Sequence, residues 1–211
     1  LEKLKEETEK PKDNQIAIVY AAGDIVSGKG EKGEMGSETI SKAIREARLD
    51  SNVKAIVLRV NSPGGSALAS DVMWREVVLA KKVKPVVVSM GNVAASGGYY
   101  ISCAADKIVA DEKTITGSIG VFGLIPNAQG FFNNKLGITF DTVKTNTHAD
   151  MLTVFRPLTQ EEKDIIQIGV ENIYDDFITK VAEGRGMTKD QVDSIGQGRV
   201  WTGIDAKKIG L

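Results

Sequence analysis

The sequence is poor in the residues that build disulfide frameworks and metal sites. Its 211 residues include one cysteine, Cys103, and one histidine, His148. A single cysteine excludes an intrachain disulfide, and the small and apolar neighbours of Cys103 in YYISCAADK predict a buried thiol. One histidine excludes the zinc sites that are built from several histidines. The sequence therefore predicts no metal and no other cofactor.

The chain also lacks an excess of either charge and any long apolar run. Lysine and arginine together number 27 against 28 acidic residues, for a net charge of -1, which argues against nucleic acid as the main partner. No apolar run approaches the ~20 residues of a membrane span, and the charged start LEKLKEETEKPKDN is unlike a signal peptide. We interpret residues 1–14 as a linker or lead-in, and residues 15–211 as one domain of a longer polypeptide.

Apolar strands and amphipathic helices alternate through the first two thirds of the sequence. Strands are predicted at QIAIVY, which reads as covered on both faces, and at VKAIVLRV, PVVVSM, KIVAD and ITFDTVK. Helices are predicted in ETISKAIREARLD with Ser37 as its cap, at about 68–82, in SGGYYISCAA, in NAQGFFNNKLG, at 159–186 with a capping box at Thr159, and at 188–195 and 203–209. This alternation predicts an α/β fold with mostly parallel strands and a helical C-terminal region.

Two predicted strands run directly into glycines, in VLRVNSPGGS and VVVSMGNVAASGG. Strand ends of parallel sheets are where sites are usually built, and glycines let backbone N–H groups approach a ligand closely. Ser96 stands where the next helix should begin, so a tetrahedral intermediate on its oxygen could be held by the N–H of Gly97 and one from Gly64 or Gly65. The alternative is that these small residues only allow close packing of a helix on the sheet, and spacing alone leaves both open.

The two segments, NSPGGS and GNVAASGGYYISCAADKIVADEKTITGSIGV, closely resemble the signal peptide peptidase SppA family, also called protease IV. The resemblance continues through FFNNKLGI, LTQEEKD and GRVWTGIDAKKIGL, so it covers nearly all of the chain from about residue 15. It implies a Clp-protease/crotonase-like fold, with Ser96 as the nucleophile of a serine–lysine dyad. It also implies that Gly65 and Gly97 supply the oxyanion hole.

The base of the implied dyad is missing at its expected place. In the short form of the family the lysine lies in a loop reading roughly His-Lys-Asp, where this sequence has His148, Ala149 and Asp150. Three explanations compete. The chain is the C-terminal half of the long two-repeat form, whose N-terminal repeat supplies the lysine; or Ala149 is an engineered replacement of that lysine; or His148 is the base, with Asp150 as its orienter. Other lysines, such as Lys144, stand in polar surroundings typical of solvated side chains.

The resemblance further implies a substrate, partners and a location. The substrates would be remnant signal peptides cut as extended chains, and the protein would assemble into a homo-oligomeric ring or dome, with apolar residues such as Phe131, Phe132 and Trp201 as candidates for the packing. The catalytic domain would lie on the periplasmic side of the inner membrane. We expect small or apolar residues at the cleavage point, because Val93, Ala94 and Ala95 would line the site.

Two other functions remain open from the sequence. A crotonase-type acyl-CoA enzyme would share the fold and an oxyanion hole of two backbone N–H groups, but it has no use for a serine directly before the second donor. A catalytically inactive repeat that binds peptides would have no use for a hydroxyl at that helix start.

Overall fold

The computed structural model of the chain describes residues 13–211, and these divide into two compact units. The first unit comprises the residues up to 120 together with 176–211, and the second comprises residues 121–175. Our interpretation of residues 1–14 as a lead-in falls mostly on 1–12, which lie outside the described residues. The single domain over 15–211 stays a prediction.

The first unit is built on a six-stranded sheet in the order β1-β4-β5-β7-β8, with β6 pairing the start of β5 beside β7. All pairs in this sheet are parallel except β7 with β8, and β2 and β3 form a separate parallel pair. The strands are β1 (Gln15–Ala22), β2 (Asp24–Val26), β3 (Glu34–Gly36), β4 (Val53–Ser62), β5 (Val86–Ala95), β6 (Lys107–Val109), β7 (Ile115–Gly117) and β8 (Val200–Thr202).

Seven α-helices occur in the described residues, and one of them begins in the second unit and ends in the first. They are α1 (Ser37–Leu49), α2 (Ala67–Lys81), α3 (Gly97–Ser102), α4 (Gln129–Phe131), which a π-helical turn (Phe132–Leu136) continues, α5 (Gln160–Arg185), α6 (Lys189–Ile195) and α7 (Gly203–Lys208). The predicted α/β fold with mostly parallel strands is confirmed. None of the helices within residues 13–211 combines the length and the apolar character needed to cross a bilayer.

Strand β1 departs from the prediction that both of its faces are covered. Its residues alternate between less and more exposed positions, and Tyr20 is 70% exposed. The reason is that α1 packs against β1 on one face, while the face that carries the alternate residues stays exposed. A run of consecutive apolar residues predicted burial on both faces, and it was wrong for the side that carries Ile16, Ile18 and Tyr20.

Helix α1 is not capped by Ser37, as the sequence had predicted. Ser37 is the first helical residue, Gly36 holds the N-cap position, and no side chain caps the helix. The first N–H groups of a helix have no partner within the helix, and one of them, that of Glu38, donates to the carbonyl oxygen of Gly28 at 2.9 Å. The predicted capping box at Thr159 is confirmed: its hydroxyl accepts from the N–H of Glu162, whose carboxylate accepts from the N–H of Thr159.

The strand predicted at ITFDTVK is absent from the second unit, where residues 138–144 have no regular secondary structure. A strand requires a neighbouring strand to pair with, and the second unit contains none among its described residues. One apolar residue of this segment, Phe140, enters an aromatic cluster instead. Phe140 stacks on Phe155 with ring centroids 3.9 Å apart, and Phe132 meets both rings edge-on.

Candidate active site

Ser96 lies at the turn between β5 and α3, in a backbone conformation that non-glycine residues rarely adopt. Its φ is 51° and its ψ is -121°. Such strain at the junction of a strand and a helix costs of order 1–3 kcal/mol and persists only where the surroundings enforce it. The same strand–serine–helix arrangement exposes the nucleophile in other hydrolases. The unusual backbone angle therefore marks Ser96 as a candidate functional residue.

Hydrogen bonds on both sides hold Ser96 in this conformation. Its N–H donates to the carbonyl oxygen of Gly117 in β7 at 2.9 Å, and its carbonyl oxygen accepts from the N–H of Tyr100 at 2.8 Å. The first bond fixes the turn to the sheet, and the second fixes it to α3. These two backbone hydrogen bonds therefore fix the direction in which the half-buried side chain of Ser96 leaves the backbone.

The glycine turn after β4 packs directly against Ser96. A Cβ atom added to Gly64 would lie 2.8 Å from the nitrogen of Gly97 and 2.8 Å from the Cβ of Ser96. The turn is anchored on both sides, because the N–H of Gly64 donates to the hydroxyl of Ser62 at 3.1 Å and its carbonyl oxygen accepts from the N–H of Ile25 at 2.8 Å. The two glycine-rich strand ends singled out in the sequence therefore do meet.

Two backbone N–H groups, those of Gly65 directly after Gly64 and of Gly97 directly after Ser96, remain unused by the protein. Within residues 13–211, neither Gly65 nor Gly97 donates its N–H in a hydrogen bond to another group. Gly65 is exposed, and Gly97 opens α3 immediately after Ser96. Gly64, the alternative donor considered from the sequence, is already bonded to Ser62. Gly65 and Gly97 thus stay the predicted oxyanion donors.

The residues predicted to line a peptide site differ in exposure. Ala94 and Ala95 are buried in the sheet at 0% and 6% exposure, where they pair with Thr116 and Gly117 of β7. Val93 is half-buried and therefore offers some surface to a ligand. The predicted contact of Ala94 and Ala95 with substrate stays a prediction.

The loop expected to carry the base lies in the second unit and is held by charged side chains. Arg156 donates to both oxygens of Asp150, at 2.9 and 2.7 Å, and to both oxygens of Glu162, at 2.7 and 2.6 Å. Lys144 donates to Asp150 as well, at 2.9 Å. The hydrogen bonds from Arg156 and then from Lys144 hold the pKa of Asp150 well below its usual range. Ala149 is exposed beside this network.

The surroundings of His148 do not favour it as the base of a triad. Asp150 is engaged by Arg156 and Lys144, so it is not available to orient the imidazole. The carboxylates near the ring are those of Glu161, 3.4 Å from Nε2, and Glu162, 3.9 Å from Nδ1. His148 therefore lies beside two glutamates and has no carboxylate placed to orient its ring as the base of a triad requires.

A lysine that the sequence did not single out lies close to α3. Lys180 of α5 donates to the hydroxyl of Tyr100 at 2.8 Å and lies 2.7 Å from Asp71 of α2. Burial alone would lower the pKa of Lys180, but the hydrogen bonds to Asp71 and Tyr100 outweigh it and raise the pKa. A lysine that keeps its proton so firmly is a poor general base near neutral pH. The contacts of Lys180 with Tyr100 and Asp71 depend on how its helix packs near α3, so no pattern in the sequence could have predicted them.

Cys103 is fully buried at the end of α3, as predicted. Its thiol donates to the carbonyl oxygen of Tyr100 at 3.1 Å, and burial raises its pKa to about 12. Among the described residues, no cluster of three or more histidine, cysteine, aspartate or glutamate side chains is placed to bind a metal.

Comparison with solved structures supports the fold. A ClpP1 variant from Listeria monocytogenes matches 92% of this chain and 86% of its own, with a TM-score of 0.54 and 16% sequence identity. At that identity the likeness concerns the fold alone. The prediction of a Clp-protease type of fold is confirmed.

Comparison with curated proteins gives closer relatives. The chain is 46% identical to "Protease 4" of Haemophilus influenzae over 94% of its length, and 42% identical to the chloroplastic serine protease SPPA of Arabidopsis thaliana, also over 94%. It spans only about a third of these relatives, 32% and 30% of their lengths. The model of peptidase family S49 matches residues 79–211, which include Ser96 and Gly97. The chain therefore belongs to peptidase family S49, as its resemblance to the SppA family had indicated.

Proposed function

We propose that this chain carries the nucleophile and oxyanion hole of a serine peptidase. The observation that carries the proposal is the strained turn at Ser96, against which the Gly64–Gly65 turn packs through Gly64, in a chain of peptidase family S49; the N–H groups of Gly65 and Gly97 at these turns are unused. The oxygen of Ser96 attacks the peptide carbonyl, and the two N–H groups stabilise the negative charge that develops. Each such donor typically contributes ~3 kcal/mol to transition-state stabilisation. The tetrahedral intermediate then breaks its C–N bond and releases the amine end of the substrate, which carries away the proton taken from Ser96, and water hydrolyses the remaining acyl-enzyme to the carboxylic acid and free Ser96.

The proton of Ser96 needs an acceptor, and we propose a lysine outside this chain. Ala149 occupies the position where the short form of the family has its lysine, and Lys180 is held in its charged form. The two relatives named above, of which the chain spans 32% and 30%, are about three times as long as this chain, and a protein of that length has room for a second repeat that supplies the base. Of the three explanations for Ala149, the split dyad agrees best with these observations.

Labelling with a fluorophosphonate probe tests both parts of the proposal. The chain is compared alone and together with the N-terminal repeat of the longer polypeptide. We expect labelling at Ser96 to be fast only when that repeat is present, to be lost in Ser96→Ala, and to persist in Ser27→Ala, which alters an exposed serine of the same unit. Undiminished labelling of Ser96→Ala would overturn the assignment of the nucleophile. Fast labelling by the chain alone would overturn the split dyad.

The substrates, partners and location follow from the family and are proposed with it. We expect cleaved remnant signal peptides as substrates, a homo-oligomeric ring or dome, and action on the extracytoplasmic side of the inner membrane. Apolar side chains that support an assembly surface include Phe122, which is 91% exposed, and Phe131, which is 58% exposed. Trp201 and Phe132 are less available, because Trp201 donates its indole N–H to Ile195 and Phe132 packs among other rings. Sedimentation of the longer polypeptide as a monomer at micromolar concentration would contradict the assembly.

Cleavage preference is a separate part of the proposal. Val93, three residues before Ser96, is aliphatic and half-buried, and we propose that it contacts the substrate, so peptides with alanine or leucine before the scissile bond should be cut faster than those with charged residues there. A panel of fluorogenic peptides measures this preference, and faster cleavage after lysine or glutamate would contradict it.

The two other functions considered from the sequence fit the molecule less well. Membership of a peptidase family favours peptide over acyl-CoA substrates. An inactive peptide-binding repeat gains nothing from a serine held at a φ of 51°, because the strain lowers stability without serving binding.

A further inference from the structure

The two turns of the candidate active site each lead into a helix, and the beginnings of those two helices are in contact. The turn that carries Gly65 precedes the N-cap of α2, and Ser96 is the N-cap of α3. A Cβ atom added to Gly97 would lie 2.5 Å from the Oγ atom of Ser70 in α2 and 3.3 Å from the Cα atom of Gly64. The placement of α3 against α2 therefore sets the separation between the N–H groups of Gly65 and Gly97.

Helix α3 is too short to hold this placement by itself. It has six residues, and none of the side chains in the described part of the chain caps its first turn. A helix of that length is unstable without packing partners, because its first turn costs more conformational entropy than its few hydrogen bonds offset. Contacts with neighbouring elements must therefore fix α3, and with it the turn at Ser96.

Three side chains from three helices provide a polar contact of this kind, which we call the polar triangle (Asp71, Tyr100 and Lys180). The hydroxyl of Tyr100 in α3 donates to the carboxylate of Asp71 in α2 at 2.9 Å, and it accepts from the ammonium group of Lys180 in α5 at 2.8 Å. The third side is the 2.7 Å ion pair between Lys180 and Asp71. All three residues lie in the first unit. The polar triangle therefore ties α3 to α2 and to the last turns of α5.

Tyr100 links the polar triangle to the candidate nucleophile. Its backbone N–H donates to the carbonyl oxygen of Ser96 at 2.8 Å, while its hydroxyl belongs to the triangle. Its ring packs against the ring of Phe177, with centroids 4.7 Å apart. A displacement of Tyr100 is therefore passed to Ser96 through a single hydrogen bond.

Two members of the polar triangle keep their protons near neutral pH. Burial raises the pKa of Tyr100 to about 12. Burial alone would lower the pKa of Lys180, but its hydrogen bonds to Asp71 and Tyr100 outweigh this effect and raise the pKa. The ammonium group also lies 4.8 Å from the ring centroid of Trp74, where a cation–π contact favours the charged form. The hydroxyl donor and the ammonium donor of the triangle are therefore constant near neutral pH.

We propose that Asp71 and Lys180 are positioning residues for the oxyanion hole, which act through the hydroxyl of Tyr100. They hold α3 against α2, so that the N–H groups of Gly65 and Gly97 stay at the separation that a tetrahedral intermediate requires. Hydrogen bonds suit this task because they depend on direction as well as on distance. The inference rests on the proposed function, since it concerns the same oxyanion hole.

A loosened oxyanion hole should slow the chemical step and leave substrate binding almost unchanged. Its donors meet the full negative charge only in the transition state, so their misplacement lowers kcat and kcat/KM by the same factor. A displacement of about 1 Å can cost about 100-fold in rate. A contact that served stability alone would leave the kcat of the folded enzyme unchanged. The two kinetic constants therefore separate a positioning role from a structural one.

Steady-state hydrolysis of a fluorogenic peptide by the full polypeptide that contains this chain tests the inference. Tyr100→Phe removes the hydroxyl and keeps the ring that packs on Phe177, so we expect kcat to fall about tenfold or more while KM stays within about twofold. Tyr20→Phe is the matched control, because it removes the hydroxyl of a tyrosine that is 70% exposed on β1, and both constants should stay within about twofold. The assays are run at a temperature at which urea unfolding shows each variant to be folded.

Substitutions at the other two corners of the polar triangle extend the test. Lys180→Gln should lower kcat as well, whereas Lys42→Gln, which removes an exposed lysine of α1, should not. Asp71→Asn keeps an acceptor for the hydroxyl of Tyr100 and should retain several-fold more of kcat than Asp71→Ala. Equal losses in the two Asp71 variants would contradict the role of that hydrogen bond.

Ser96→Ala separates the failure of this inference from the failure of the proposed function. Turnover that persists in Ser96→Ala would overturn the proposed function, and the inference with it. Turnover that depends on Ser96 but is unchanged in Tyr100→Phe and Lys180→Gln would overturn the positioning role alone. A loss of stability with unchanged kcat, or a rise in KM without a fall in kcat, would likewise overturn it and leave the polar triangle as a structural contact.

Discussion

The serine turn (residues 95–97) and the charged loop (residues 148–162) are both held firmly, but by different kinds of interaction. Around Ser96 the constraints are backbone hydrogen bonds and the close approach of Gly64. In the charged loop they are side-chain bonds from Arg156 to Asp150 and Glu162. The first kind leaves a side chain and two N–H groups free for chemistry, whereas the second uses up the functional groups it contains.

This difference assigns separate tasks to the two regions. Backbone positioning costs no reactive group, so the serine turn is suited to hold a nucleophile in a strained conformation. The charged loop satisfies its own carboxylates and presents the methyl group of Ala149 between His148 and Asp150. We therefore expect substitutions at the serine turn to affect Ser96 chemistry, and substitutions in the charged loop to affect stability without that chemistry.

The largest effect is expected from Gly64→Ala. The added methyl group would lie 2.8 Å from the nitrogen of Gly97, and the residue has a φ of 108° that alanine rarely adopts. The turn must shift away from Ser96, so the rate of Ser96 labelling in the complete enzyme should fall about 100-fold or more, as on loss of an oxyanion donor. The backbone strain should also cost ~1–3 kcal/mol of stability. Labelling kinetics and urea unfolding measure the two effects.

Gly169→Ala is the matched control for that substitution. Gly169 lies in α5 within the second unit, and an added methyl group there meets nothing within 4 Å. The helix should gain ~0.5–1 kcal/mol because alanine is the better helix former, and labelling should be unchanged. Equal loss of labelling in both variants would contradict the special role of the contact between Gly64 and Ser96.

Arg156→Gln should give the next largest effect, confined to stability. The substitution removes the charge that pairs with Asp150 and with Glu162, whose side chain is 1% exposed, and an unpaired buried carboxylate is strongly destabilising. We expect the melting temperature to fall by several degrees while labelling of Ser96 in the folded protein stays within about twofold. Lys42→Gln is the control, because its ion pair with Glu46 is exposed and contributes little. A loss of labelling without a loss of stability would assign Arg156 to the chemistry.

The serine turn could be read from the sequence, and the charged loop could not. Glycines at two strand ends signal close backbone approach whatever the rest of the chain does, so NSPGGS and AASGG indicated the meeting of Gly64 with Ser96. The partners of Arg156 and of Lys180 depend on how helices and loops pack, which no local pattern encodes. The strands β7 and β8 were not predicted for a different reason: each has three residues, which is too short to show an alternating pattern. The failed strand at 138–144 had the right periodicity but no partner strand.

The pH dependence of stability should separate the two regions further. Hydrogen bonds from Arg156 first, then from the N–H of Thr159, lower the pKa of Glu162 from 4.5 to about 2. Because the folded state has the lower pKa, this contribution is fully present above about pH 4.5 and is lost as the pH falls toward 2. Asp150 contributes in the same direction. Thermal melts between pH 7 and pH 2 should show a steeper acid loss in the parent than in Glu162→Gln, and equal slopes would contradict the pairing.

The smallest effect is expected from His148→Ala, and it decides between the remaining candidates for the base. The imidazole lies near Glu161 and Glu162, while Asp150 is bound by Arg156, so nothing in the charged loop orients the ring as the base of a triad requires. The side chain of His148 is partly exposed, so its removal should cost little stability, and labelling of Ser96 in the complete enzyme should stay within about twofold. A general base contributes about 100-fold or more to the rate, so a drop of that size in His148→Ala would establish the histidine as the base and remove the need for a lysine from another repeat.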